Sequence, residues 1–260
     1  MIATLDHVGY VASDVAALRA TFVRLGFAPT EPRPAREPSC QALLKAGYIE
    51  LSGAAAAKAG ARVLCFGVDD IDAARASCLA ADIRVGELER TTRTIDYGTR
   101  RGEARFQSFT VDERDSADGL VRFLHNETPE LVYQEEVTHH PNGALGLDEV
   151  CIATADLPGT TQRYARILAA EPDRSPGEAL FRLLRGSLRI CDRARFAEAH
   201  GTALGVVPET FGLIALRVRD LAVAGRVLQT NRVPYRAAEG AAYVAAGNAG
   251  GTALVLRRGR

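Results

Sequence analysis

Four stretches of the chain share one plan: a short apolar run, an aspartate, then apolar positions at helical spacing. They lie at residues 5–15 (LDHVGYVASDV), 66–74 (FGVDDIDAA), 147–157 (LDEVCIATADL) and 216–224 (LRVRDLAVA). The first and third align without a gap and share Leu-Asp, a valine and a late aspartate. In each stretch the aspartate (Asp14, Asp70, Asp156, Asp220) stands where a helix N-cap accepts the unpaired N–H groups of the first turn. Behind Asp14, Val15, Leu18, Phe22 and Leu25 fall on one helical face, and Gly26 is placed to end the helix. Strand-like runs follow, at 42–52 in the first stretch and at 84–89, 105–111 and 120–125 in the second. The repeating unit is therefore βαβββ, at roughly 1–53, 61–127, 144–193 and 210–260. Two such units close one curved sheet around a cavity, so four predict an α+β protein of two domains. The polar segment 128–143 (TPELVYQEEVTHHPNG) is the natural joint, giving domains at 1–130 and 144–260 with a linker at 131–143.

Composition narrows the class. The chain has 260 residues, 47% of them hydrophobic, which suits a globular protein and argues against disorder. Its 32 basic and 32 acidic side chains cancel, so there is no global electrostatic footprint for nucleic acid or a membrane surface. No apolar run approaches the roughly 20 residues of a membrane span, and no secretory signal opens the chain. The five cysteines form no C-x-x-C pair and read as buried free thiols, so a cytoplasmic location is expected. Phosphate-cradling, dinucleotide, serine-hydrolase and zincin motifs are all absent.

With the repeat in place, the chain resembles the vicinal oxygen chelate superfamily, within it the two-domain glyoxalase-like proteins. The residues that carry the likeness are Leu5-Asp6-His7-Val8, the Asp14-capped helix ending in Leu25-Gly26-Phe27, Gly47-Tyr48-Ile49-Glu50-Leu51, residues 68–74 and His140-Pro141-Asn142-Gly143-Ala144. The resemblance implies four βαβββ modules paired into two glyoxalase-like domains, each a curved mixed sheet cupping a cavity. Its reactions include isomerases, lyases and ring-opening dioxygenases, beside plain drug-binding proteins, so fold alone does not choose among them. His7 and Glu50 match the family's first metal-binding His and Glu. Val63 and Phe123 fall where its second His and Glu would lie. Alternation along the strand puts Val121, Phe123 and His125 on one face, so His125 is a substitute ligand. His7, Glu50 and His125 would then form a two-His-one-carboxylate set for a divalent Fe, Mn, Ni or Zn ion, with Glu50 as ligand, base or both.

Around that set, Gln41, Tyr48, Gln107 and Phe123 are expected to line the first cavity, and His140 to close over it from the joint. Arg93, Arg100, Arg101 and Arg105 cluster about a glycine-containing loop, and Arg101 is taken as a holder of substrate carboxylate or phosphate. In the second half the His7 and Glu50 positions hold Glu149 and Arg189, an ion pair in place of a metal site, so the C-terminal domain reads as a degenerate copy. His200, in a polar helix, is expected to be solvated. The leading expectation is a metal-dependent lyase, isomerase or dioxygenase acting on a small oxygenated or anionic metabolite. The alternative is a metal-free small-molecule binding or resistance protein. A small-molecule ligand is the expected partner, and a homodimer is compatible with either.

Overall fold

A computed structural model describes residues 3–32, 38–54, 59–206, 209–238 and 240–258. The first sheet takes β1 (Thr4–Ala12), β2 (Ser39–Leu43), β3 (Tyr48–Gly53), β4 (Gly60–Gly67), β5 (Glu89–Ile95), β6 (Gly102–Thr110) and β7 (Leu120–Asn126). Its order is β2-β3-β1-β4-β7-β6-β5. The second sheet takes β8 (Ala144–Thr154), β9 (Asp173–Ser175), β10 (Glu178–Arg182), β11 (Ser187–Asp192), β12 (Phe211–Val218), β13 (Arg236–Ala238), β14 (Ala241–Val244) and β15 (Ala253–Arg258). Its order, β13-β14-β15-β12-β8-β11-β10-β9, is the first sheet's plan with one extra edge strand. In each, the opening strand runs parallel to one partner and antiparallel to the other: β1 with β3 and β4, β8 with β11 and β12.

All four aspartates cap helices. Asp14 accepts from Ala17 ahead of α1 (Val15–Arg24), and Asp70 from Ala73 ahead of α2 (Ile71–Ala80). A short α3 (Pro129–Val132) lies in the joint; Asp156 then caps α4 (Leu157–Leu168) and Asp220 caps α6 (Leu221–Thr230). Between them α5 (Arg193–His200) starts at Asp192. Gly26 ends α1 with φ +85°, and Phe27 N–H reaches back to the Phe22 carbonyl, the bond that closes a left-handed C-cap. One expected strand is displaced. Residues 84–89 precede the hairpin rather than form it, and β5 starts at Glu89, where a threonine-rich run begins.

Strand alternation sorts the side chains into three apolar clusters. The largest joins the two halves, with Tyr10, Phe22, Phe66, Phe109 and Phe123 of one packed together with Ile152, Tyr164, Phe211 and Leu254 of the other. The opposite face of each sheet carries its own smaller cluster, around Tyr48, Cys65, Phe106 and Leu124 in the first and Cys151, Leu213, Tyr243 and Val255 in the second. The halves also meet edge to edge twice, in mirrored fashion. The β2–β3 turn bridges β8 (Ala46 with Gly146), and the β10–β11 turn bridges β1 (Arg185 with Thr4). Each smaller cluster is built within its own half, the first with Val132 and Tyr133 of the joint packed on it.

Candidate active site

The site begins with an irregularity in β1. Opposite β4, Leu5 pairs with Phe66 and His7 with Cys65, so Asp6 is an extra residue, a β-bulge. The bulge turns Leu5 into the central core and leaves Asp6 and His7 together on the concave side. Leu5, His7 and Gly9 therefore do not share a face, as strict alternation had predicted. Gly47 accommodates the bulge: its φ is +85°, and a Cβ there would collide with the Asp6 carbonyl oxygen.

His7 is 2% exposed. Its Nδ1 lies 2.8 Å from Asp6 Oδ1, and Tyr133 Oη donates to Asp6 Oδ2 at 3.2 Å. A carboxylate accepts only, so the shared proton sits on Nδ1 and the Nε2 lone pair is left free. Among the described residues no group bonds Nε2, although it is buried. Tyr48, the cross-strand partner of His7, stacks on the imidazole with centroids 4.3 Å apart and planes 14° from parallel. Burial, then the Glu50 and Asp6 charges, push the Tyr48 phenol well above its ordinary range. Burial and Asp6 do the same to Tyr133, so both remain neutral donors.

His7 and Tyr48 line a cavity of about 260 Å³ together with Glu50, Arg93, Phe106, Ser108 and Arg122. Arg122 stands two strands from His7 on one cross-sheet row, through Cys65. Arg93 lines the cavity from β5, with its guanidinium over the Phe106 ring, 5.1 Å from the centroid. Nε of Arg122, and Nε and Nη2 of Arg93, are buried with no hydrogen-bond partner among the described residues. Donors left unpaired in a lined cavity are groups a ligand is positioned to satisfy.

The structure brings His7, Tyr48 and Glu50 together. Gln41 is buried opposite Glu50 on β2, at the edge of the same face but not on the lining. The other five expected residues are elsewhere. Phe123 is fully buried in the central core against Phe66 and Phe109, because β7 is turned by one residue relative to the expected face. His125 shares that face, bonds the Val68 carbonyl through Nδ1 at 3.1 Å, and does not line the cavity. Gln107 donates to Glu127 at 2.7 Å on the outer side of β6. Arg101 is exposed in the β5–β6 loop. His140 is locked into the joint: Nδ1 accepts from Ala28 N–H at 3.1 Å, which puts the proton on Nε2 for the Leu43 carbonyl at 2.8 Å. Sequence reading passed over Asp6, Tyr133 and Arg122. Arg122 did leave a signal, since in LVRFLHN an arginine flanked by Val121 and Phe123 belongs on the face opposite theirs.

The metal donors that line this cavity are His7 Nε2 and the carboxylates of Glu50 and the exposed Glu89. The strands facing them offer Val63, Cys65 and Arg122. Asp6, His7 and Cys65 do present ligand atoms within 4.8 Å of one another. Within that trio both Asp6 oxygens are already engaged, and burial, with Asp6 beside it, pushes the Cys65 thiol well up, away from the thiolate a metal needs. The three-donor set with His125 does not assemble.

The second half repeats the geometry with other chemistry. Glu149 pairs with Ser187 as His7 pairs with Tyr48, and Asp148 is the matching bulge. Arg189 Nη2 meets Glu149 at 3.0 Å and Nη1 meets Glu178 at 3.0 Å, while Arg257 bonds Asp148. Glu149, Glu178, Arg189 and Arg257 line a cavity of about 620 Å³. His200 lines it, half-buried against Phe196, rather than standing in solvent.

A family model described as a glyoxalase-like domain matches residues 5–168. No curated protein matches the sequence. Among solved structures, a hypothetical protein from Staphylococcus aureus superposes with a TM-score of 0.69 at 10% identity, covering 99% of this chain and 100% of that one. A catechol 2,3-dioxygenase superposes with a TM-score of 0.67 at 13% identity, over 99% and 88%. Homoprotocatechuate 2,3-dioxygenase from Arthrobacter globiformis gives 0.61 at 14%, over 99% and 80%. At these identities the likeness is one of fold.

Proposed function

Since the chain belongs to the glyoxalase-like domain family of the vicinal oxygen chelate superfamily, a fold that hosts several reactions, we propose its function from the site itself: an enzyme of the lyase or isomerase type that moves a proton on a small oxygenated anion held in the N-terminal cavity. The observation that carries this is the buried Nε2 of His7, unbonded among the described residues, on the cavity's lining. Asp6 fixes the ring and its tautomer, Tyr133 steadies Asp6, and Tyr48 packs the ring face, so Nε2 is a base held in one orientation. Asp6 also stabilises the imidazolium that forms when Nε2 takes a proton. Arg93 and Arg122 supply donors for substrate anion and for charge that develops as the proton leaves. In this reading Glu50, which lines the same cavity, relays or returns a proton.

The test is solvent exchange. Wild-type protein incubated in D₂O with a panel of small hydroxy and oxo acids should incorporate deuterium at one carbon of its substrate. His7→Asn should abolish this while leaving the circular dichroism spectrum unchanged. A panel that is bound but never exchanged by wild type would instead favour the metal-free binding protein.

A second reading is a divalent ion bound through His7 Nε2, the ring nitrogen left open in the cavity that Glu50 also lines. Metal analysis of protein prepared in chelexed buffer and then loaded with Fe, Mn, Ni or Zn decides it. Stoichiometric metal that is lost in His7→Asn supports the ion; no retained metal with exchange intact supports proton transfer by side chains alone.

A further inference from the structure

The cavity of the second half, at about 620 Å³, is more than twice the size of the first and falls in the range that small-molecule sites occupy. Strand pairing builds its floor. Val255 lies between Ala215 and Tyr243 on one cross-sheet row, and Leu213 and Ala241 stand two residues away on the same faces of β12 and β14. Tyr243, the one aromatic ring of this floor, is engaged by Arg236, whose guanidinium lies over it 4.2 Å from the centroid. Aliphatic side chains are therefore what the floor offers to a ligand's body, and the short Ala215 and Ala241 leave room above them. His200 closes one side from the end of α5, and neither of its ring nitrogens has a partner among the described residues.

Charge on the walls is unevenly spread. Toward β10 and α5, Arg189 and Arg195 are matched by Glu149 and Glu178, and Glu198 pairs with Arg195 from a side chain 73% exposed. Toward β15, Arg217 and Arg257 share the single carboxylate of Asp148, and Arg258 adds a third cation. Positive charge is thus in excess at the β15 end. Val255 and Arg257 succeed each other on one face of β15, so a chain lying over Val255 brings its head group to Arg257. We propose that this cavity is a second ligand site, separate from the His7 cavity, for an aliphatic monocarboxylate whose chain lies on the Ala215–Val255 floor and whose carboxylate meets the Arg257 end.

Nitrogen-15 spectra of the histidine-labelled full chain, assigned with His7→Asn and His200→Gln, test this by titration with hexanoate, 1-hexanol, hexylamine and acetate at pH 7.5. Burial lowers the His200 pKa from 6.5, so its ring starts neutral and a moving signal reports the added molecule. Hexanoate should move the His200 signals saturably while those of His7 stay in place. It should bind at least about tenfold more tightly than 1-hexanol, the equivalent of one charge-assisted hydrogen bond, and at least about tenfold more tightly than acetate, which lacks the chain. Hexylamine should bind more weakly than 1-hexanol. Ala215→Leu, which fills the floor, should weaken hexanoate at least about tenfold, and Arg257→Met should bring it down to the 1-hexanol level. The wild-type series stands even where a variant folds poorly. Equal binding of hexanoate and 1-hexanol, no saturable shift with hexanoate, or movement of His7 in place of His200 overturns the proposal.

Discussion

His140 was expected over the substrate cavity and instead anchors the joint, and acid titration tests that placement. The imidazole is 8% exposed and accepts one backbone hydrogen bond while donating another. Protonation of Nδ1 would break the bond from Ala28 and strand a charge in the interior. Burial accordingly lowers its pKa from 6.5 to about 4. Between these values the unfolded chain binds the proton and the folded chain does not, so stability rises with pH across the window and is lost as pH falls. The full loss, below pH 4, is about 3 kcal/mol, and about 2 kcal/mol of it is already gone at pH 5. Urea unfolding at pH 7 and pH 5 on wild type and His140→Gln isolates this share from other titrating groups. The variant should start lower, because Ala28 N–H loses its acceptor, yet fall by about 2 kcal/mol less than wild type over that interval. Parallel losses in the two proteins would refute the reasoning and return His140 to an exposed, freely titrating position.

Three further outcomes are expected. Asn142, fully buried, donates to the Leu25 carbonyl and accepts from Ala144 N–H, so Asn142→Ala orphans two backbone groups and should cost about 2–4 kcal/mol in denaturant unfolding. Arg189→Met leaves Glu149 buried and under-paired and should cost about 3 kcal/mol, at the low end because Arg189 keeps 22% exposure; the Glu149→Met/Arg189→Met double variant should regain most of it in a double-mutant cycle. Gly47→Ala, forced into positive φ against the Asp6 carbonyl, should destabilise by about 1–3 kcal/mol and remove D₂O exchange, because the bulge that presents His7 must shift.

The fold was legible because its signals are local and repeated. Four aspartates before helical stripes and Gly26 at a helix end each have one physical use, and the two sheets follow the same order. The pairing of Glu149 with Arg189 was legible for the same reason, as a gapless alignment of equivalent strands. The site was harder to read. A single bulge at Asp6 and the facing of β7 decide which side chains meet. Neither is encoded by periodicity when both faces of a strand are apolar, as with Val121 and Phe123 on one side and Leu124 on the other. Tyr133 was missed because its contact with Asp6 spans 127 positions and comes from a joint that composition marks only as polar. His125 and His140 show the converse: histidines suited to chemistry by type were spent on backbone carbonyls.

The central claim is that Asp6 holds His7 in one tautomer with a bare Nε2 facing the cavity. Nitrogen-15 spectroscopy of histidine-labelled protein at mildly alkaline pH, assigned with His7→Asn, observes this directly. The account predicts a protonated Nδ1 and an unprotonated, pyridine-like Nε2 for His7, a signal that collapses toward the ordinary tautomer mixture in Asp6→Asn. A proton resident on Nε2, or a spectrum indifferent to Asp6, would contradict it.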